Sequence, residues 1–223
     1  AGASYAGARS MVTMKQVGLN VASDPLMSLE YVGIKGGMVI LVADDPGPIS
    51  SQTEQDTRHF SRFSKLPCFD PSSAQEAYEM IQEAFEYSEK YGTPVFLRPT
   101  TRVCHGYASI MVKDETEYTH HQPEGFIKDS KRWVIFPRLS FMNHKKIEAR
   151  NQELSDIFSS YEKNTIHPSC DAFKDSKKGI ATGGISYTYT METLKKTGMV
   201  KTLKIATPHP FPEKLAVDFL SGL

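Results

Sequence analysis

The chain has 223 residues, enough for one large α/β domain or up to two ordinary ones, each with a proper core. Lysine plus arginine and aspartate plus glutamate each number 26, so the formal charge is zero, and nucleic acid or an anionic membrane surface is not expected as a partner. No apolar stretch approaches the roughly 20 residues of a bilayer span and no basic segment with an apolar core opens the chain, so a soluble, cytoplasmic protein is expected.

The opening AGASYAGARS lacks an initiator methionine, and Gly2, Ala3, Ala6, Gly7 and Ala8 suit the close-packed end of a helix already under way. A fragment of a longer chain is expected. A buried strand follows at Met11 to Met14, then a polar loop, KQVGLNVASDP. Ser23 or Asp24 caps a helix with Pro25 at its first position, and Gly36 and Gly37 end it. The second strand, Gly37 to Ala43, contains MVILVA, an unbroken apolar run of the kind buried on both faces of a parallel sheet. Its loop is DDPGPISSQTEQD, and a mixed helix or turn spans Gln52 to Lys65.

CFDPSSAQEAYEMIQEAFEYSEKYG carries the clearest helix: Ser72 or Ser73 caps it, Glu76 sits in its first turn, and Gly92 stops it. Ala77, Met80, Ile81, Ala84, Phe85 and Ser88 form its buried stripe. VFLRP reads as a third strand and TTRVCHG closes an α/β unit over residues 1 to 110. Residues 111 to 178 read as a polar connector tacked down by Trp133, Ile135 and Phe136, with an amphipathic helix, MNHKKIEARNQELSDIFSSYEKN, that braces the junction. Residues 179 to 223 begin a second α/β pattern: strand GIATGG, a helix to Lys196, strand KTLKIA, and a helix after Pro212.

In open parallel sheets ligands bind beyond the carboxyl ends of the strands, so the two loops after consecutive strands suggest one site; the alternative is that both are turns. Asp44 and Asp45 could bind Mg²⁺ or serve in acid/base work, but a turn before Pro46 is the preferred reading. SSQTEQD suits recognition of a polar or anionic group, or is a helix cap running from Ser51 to Glu54, with Arg58 and Arg102 the nearest cations. TGG at 182 to 184 is better explained by tight strand-to-helix packing than by a phosphate turn. His120 and His121 read as a solvated pair, and Cys104 with His105 makes a poor catalytic pair. Cys68, Cys104 and Cys170 lie far apart with no C-x-x-C, so reduced thiols are expected.

The runs TMKQVGLNVASDPLM, VADDPGPISSQTEQDTRHF and SSAQEAYEMIQEAFEYSEKYGTPVFLRPTTRVCH, followed by GIATGGISY through PFPEKL, closely resemble the large subunit of indolepyruvate:ferredoxin oxidoreductase, within the 2-oxoacid:ferredoxin oxidoreductases. The resemblance implies an α/β parallel-sheet pyrimidine-binding domain of a thiamine-diphosphate enzyme, truncated at its N-terminus, followed by the start of a transketolase C-terminal-like domain. It implies oxidative decarboxylation of an aryl pyruvate, with electrons passed through [4Fe-4S] clusters to ferredoxin and the aryl-acetyl group released on coenzyme A. A small β subunit is the implied partner.

On this basis the cofactor lies beside Lys15, Gln16, Gly18, Leu19 and Asn20, and the substrate beside Ser51, Gln52 and Thr53. Val17, Leu19, Val21 and Met27 would line an apolar pocket, and Gln16, Asn20 and Gln52 would supply neutral hydrogen bonds. The activating glutamate would lie upstream of Ala1, and the Mg²⁺-diphosphate site and cluster cysteines beyond Leu223. No catalytic residue is therefore expected within the chain, which alone should be inactive. Related pyruvate enzymes hold the substrate carboxylate with an arginine near the position of Ser51 or Gln52, and none stands there in this chain. The competing readings are a non-catalytic subunit-interaction module, or the same chemistry on pyruvate, 2-oxoglutarate or a branched oxoacid.

Overall fold

The computed structural model describes residues 1–118 and 122–223; His120 and His121 lie outside the described residues. A short helix α1 (Gly2–Tyr5) precedes β1 (Ser10–Lys15), α2 (Gln16–Val32), β2 (Met38–Ala43), α3 (Thr57–Ser64), β3 (Cys68–Phe69), α4 (Ala74–Tyr91), β4 (Val95–Leu97) and α5 (Thr101–Cys104). The four strands form a parallel sheet in the order β1-β2-β4-β3, so the first strand, expected to be buried, lies at an edge with Met11, Val12 and Thr13 exposed. Met38, Ile40 and Val42 of β2 meet Leu19, Leu26 and Leu29 of α2, whereas Val39 meets Met80 and Ala84 of α4. Alternate residues thus enter two different cores, which is why MVILVA carries no polar position.

The expected loop from Lys15 to Pro25 is instead the first half of α2, which contains Pro25 in its interior. Proline in a helix removes one hydrogen bond and costs about 3 kcal/mol. Three buried leucines on one face of α2 contribute roughly 2 kcal/mol each, so core packing outweighs the local penalty. The lost bond involves Val21, whose side chain is 85% exposed. Helix α4 follows its sequence signals: Ser73 accepts from the Glu76 N–H, and Gly92 ends the helix in a left-handed conformation. Cys68 and Phe69, read from the sequence as the approach to this helix, form the edge strand β3.

Two further helices, α6 (Ser130–Trp133) and α7 (Pro137–Phe158), precede β5 (Thr165–His167), β6 (Gly179–Gly183), α8 (Gly184–Thr197), β7 (Lys201–Ile205) and α9 (Glu213–Ser221). Trp133 packs on Tyr5 and Phe126, but Ile135 and Phe136 are about half exposed and do not anchor this stretch. Leu154 and Phe158 of α7 join the core on the α4 side together with Ala206, as expected of a helix that braces the junction. The second sheet has the order β5-β7-β6, with β5 antiparallel and β6 parallel to β7. Its edge strand β5 comes from the stretch read as connector.

The two sheets are joined along β3. The Cys68 N–H donates to the His209 carbonyl at 2.7 Å and the Asp70 N–H to the Ala206 carbonyl at 2.8 Å. Lys204 pairs with Glu76, and the Thr188 hydroxyl donates to the Ser72 carbonyl at 2.8 Å. These contacts cover what would otherwise be an open sheet edge.

Candidate functional site

β1 and β2 are parallel neighbours in a register that sets Lys15 opposite Ala43, so both strands end at the same level. The chain leaves β1 straight into α2 and leaves β2 into the 44–56 loop, and the two exits are bonded to each other. The Lys15 ammonium donates to the Ser50 carbonyl at 2.8 Å and to the Ser50 hydroxyl. The Gln16 side-chain amide donates to the Thr53 carbonyl at 2.9 Å, and the Ser51 hydroxyl donates to Gln16 Oε1 at 3.3 Å. Lys15, Val17, Ser50, Ser51 and Gln52 surround an open depression of about 390 Å³. The structure therefore brings Lys15, Gln16, Ser51, Gln52 and Thr53 together.

Gly18, Leu19 and Asn20 part from them because a helix turns about 100° per residue. Leu19 is fully buried in the core among Leu26, Ile40 and Phe96, so it is not a pocket residue. Gly18 faces β1, where a Cβ would lie 3.0 Å from that of Met14. Asn20 is exposed along α2 and its carbonyl accepts from Ser23. Of the expected apolar lining only Val17 reaches the depression; Val21 points to solvent and Met27 is half-buried farther along the helix.

The 44–56 loop is pinned at both ends. Asp45 is fully buried and accepts from the Ser50 N–H at 2.7 Å and the Thr101 hydroxyl at 2.9 Å. Burial works to raise its pKa, but these bonds and the Lys15 charge outweigh burial and hold the carboxyl below the usual range. Asp44, also fully buried, accepts from the Thr57 N–H and hydroxyl, each at 3.0 Å, and from Arg98 Nε at 2.5 Å. Asp45, which accepts from the Ser50 N–H, fits the preferred reading as a turn residue, whereas Asp44 does not, because its carboxylate is taken by Thr57 and by Arg98 of a neighbouring strand end. The cap of the following helix is Asp56, which accepts from the Arg58 N–H, rather than Ser51.

Arg98 is the residue that sequence inspection missed. It is 2% exposed and gathers three carboxylates: Asp44 at 2.5 Å, Asp70 at 3.1 Å and Asp56 at 3.4 Å. Arg58, one of the two cations singled out from the sequence, is held by Asp56 at 2.6 Å. The available signal was positional: Asp44, Asp70 and Arg98 each stand just after a buried strand. Asp70 completes the junction with the second sheet. Burial, against the opposing Arg98 and Arg58 charges, pushes its carboxyl up to about 6, and its Oδ1 has no hydrogen-bond partner. Gly184 packs against it with φ +51°, and a Cβ on Gly183 would overlap the Ile205 carbonyl, so TGG serves close packing.

A larger cavity, about 710 Å³, lies at the opposite, amino-terminal end of the sheet between α2, α4 and α7. Its buried Glu30 is already paired with Arg150 at 2.6 Å. Open parallel sheets bind ligands at their carboxyl ends, which favours the smaller depression. Cys104 ends the short helix α5 with its sulfur directed to the Pro99 carbonyl, so no thiol–imidazole pair forms with His105.

A parallel sheet with two strand-end segments bonded to each other defines an α/β domain, and the polar depression lies at the end of the sheet where such folds take ligands. Residues 1–174 match the family described as pyruvate flavodoxin/ferredoxin oxidoreductase, thiamine diphosphate-binding, and the chain belongs to this family. It is 41% identical to indolepyruvate oxidoreductase subunit IorA of Pyrococcus abyssi, with 99% of this chain aligned to 34% of that protein. The IorA subunits of Methanothermobacter thermautotrophicus and Archaeoglobus fulgidus are 41% and 38% identical, each aligned over 100% of this chain and 35% of their own length. The chain thus spans about a third of the length of these relatives. Among solved structures it shares its fold with a 2-oxoglutarate:ferredoxin oxidoreductase from Magnetococcus marinus, at a TM-score of 0.64 and 17% identity, covering 99% of this chain and 46% of that one.

Proposed function

We propose that this chain is part of a thiamine-diphosphate-dependent oxidoreductase that converts an aryl pyruvate, coenzyme A and oxidised ferredoxin into aryl-acetyl-coenzyme A, carbon dioxide and reduced ferredoxin. The observation that carries this is the direct bonding of Lys15 and Gln16 to Ser50, Ser51 and Thr53 at adjacent strand ends, which makes one polar wall in the family's cofactor-binding domain. The similarity to IorA subunits supports indolepyruvate over pyruvate, 2-oxoglutarate or a branched oxoacid. A cytoplasmic complex with a small β subunit and ferredoxin is part of the proposal. Among the described residues no helix is long and apolar enough to cross a membrane.

Thiamine diphosphate needs a carboxylate beside its aminopyrimidine and metal ligands beside its diphosphate. No carboxylate lines the depression, and the nearby Asp44 and Asp45 are buried and engaged by Arg98, Thr57, Ser50 and Thr101. Among the described residues no group of three or more His, Cys, Asp or Glu side chains could hold a metal ion. These residues fit one wall of the cofactor site rather than the whole cofactor, so no chemical step is assigned to them. Mg²⁺ and [4Fe-4S] clusters belong, in this proposal, to other parts of the longer polypeptide or complex. Gln16, fully buried, sets the separation of the two segments that form the wall.

The test is anaerobic reduction of a viologen dye by the full-length polypeptide expressed with its small subunit. Indolepyruvate with coenzyme A should support faster reduction than pyruvate or 2-oxoglutarate. Absence of dye reduction with every 2-oxoacid would refute the enzyme reading.

A further inference from the structure

A 2-oxoacid carries a carboxylate that an enzyme must hold until it leaves as carbon dioxide. If the functional reading above holds, on which this inference rests, that carboxylate meets the depression formed by Lys15, Val17, Ser50, Ser51 and Gln52. Lys15 is the one charged residue of this set. Its ammonium has three N–H donors; two of them go to the carbonyl and hydroxyl of Ser50, which leaves a third. The other cations nearby are committed or misplaced. Arg98 is enclosed by Asp44, Asp56 and Asp70, Arg58 is held by Asp56, and Arg102 on α5 does not line the depression. Asp45 does not compete for Lys15 as a direct partner, because its oxygens accept from Ser50 and Thr101.

We propose that Lys15 anchors the carboxylate of the 2-oxoacid, with the exposed Gln52 amide at the same rim as a second donor. The cation then comes from the end of β1 rather than from the 44–56 loop. A lysine fixed at Ser50 presents a charge whose position is set before the substrate arrives, so binding does not have to order a mobile side chain.

The test uses the full-length polypeptide with its small subunit, as wild type and as Lys15→Gln and Lys15→Arg. Two readouts are taken: KM and kcat for indolepyruvate, and calorimetric binding of indole-3-propionate beside its neutral amide. Loss of a hydrogen-bonded charge predicts that Lys15→Gln raises KM by about 10–100-fold and weakens binding of the acid by a similar factor. The change in kcat should stay within about threefold and amide binding should be unchanged. Lys15→Arg, which keeps the charge, should recover most of the acid affinity. Equal weakening of acid and amide, or an unchanged KM, would overturn the anchor. An active wild type with an indifferent Lys15→Gln variant refutes the anchor alone, whereas a wild type inactive on every 2-oxoacid refutes the enzyme reading. In that second case the acid-binding comparison still decides the role of Lys15, because an absent or Lys15-independent affinity overturns it.

Discussion

Replacing Asp70 by asparagine should remove a pH-dependent penalty on folding. Asp70 follows β3 and is 1% exposed. Its Oδ2 accepts from Arg98 at 3.1 Å, and its Oδ1, without a hydrogen-bond partner, faces Gly184, where a Cβ would lie 2.7 Å away. Burial, against the Arg98 and Arg58 charges, lifts its pKa from 3.8 to about 6. The folded chain therefore holds this proton more tightly than the unfolded chain. The stability it contributes is complete below about pH 4 and is lost as pH rises through about 6. At about 1.4 kcal/mol per pH unit, the displacement amounts to roughly 3 kcal/mol at neutral pH. Urea unfolding of wild type and Asp70→Asn across about pH 4 to 7.5 measures it. The variant should gain stability relative to wild type by about 2–3 kcal/mol over that interval, while the lowered carboxyls of Asp45, Asp56 and Glu76, present in both proteins, cancel in the difference. A difference that stays flat with pH would refute the reasoning, and one that falls would show that Asp70 stabilises as an ion.

Arg98→Met would leave Asp44 and Asp70 buried without their cation, and should lower stability by about 3–5 kcal/mol, read as a shift in the urea midpoint. Gln16→Ala removes both side-chain bonds between α2 and the 44–56 loop; it should cost about 1 kcal/mol and speed amide hydrogen exchange in residues 50 to 54, with α4 unaffected. Gly184→Ala forces a Cβ onto Asp70 at a left-handed backbone position and should destabilise by about 1–3 kcal/mol. That loss should shrink when Asp70 is alanine, a coupling that a double-mutant cycle measures.

By itself the sequence determined those elements whose signals are local. MVILVA declared a strand buried on both faces because every position is apolar, and both faces of β2 are covered. Ser73, Glu76 and Gly92 set the ends of α4 because caps act within a few residues. What tertiary structure alone decided depends on residues far apart in the chain. Gly18, Asn20 and Asp24-Pro25 are loop signals, and they are overruled because Leu19, Leu26 and Leu29 find a core built partly from β2 and β4. That outcome turned Leu19 inward and away from the pocket. β3 is two residues long, too short to show any period, and exists through its pairing with β4 and its hydrogen bonds to residues 206 and 209. The Arg98 hub draws on positions 44, 56 and 70, and strand order β2-β4-β3 places the end of β4 between those of β2 and β3. Period and caps are written along the chain, whereas which charge meets which is fixed only when strand order and register bring distant residues within a few ångströms.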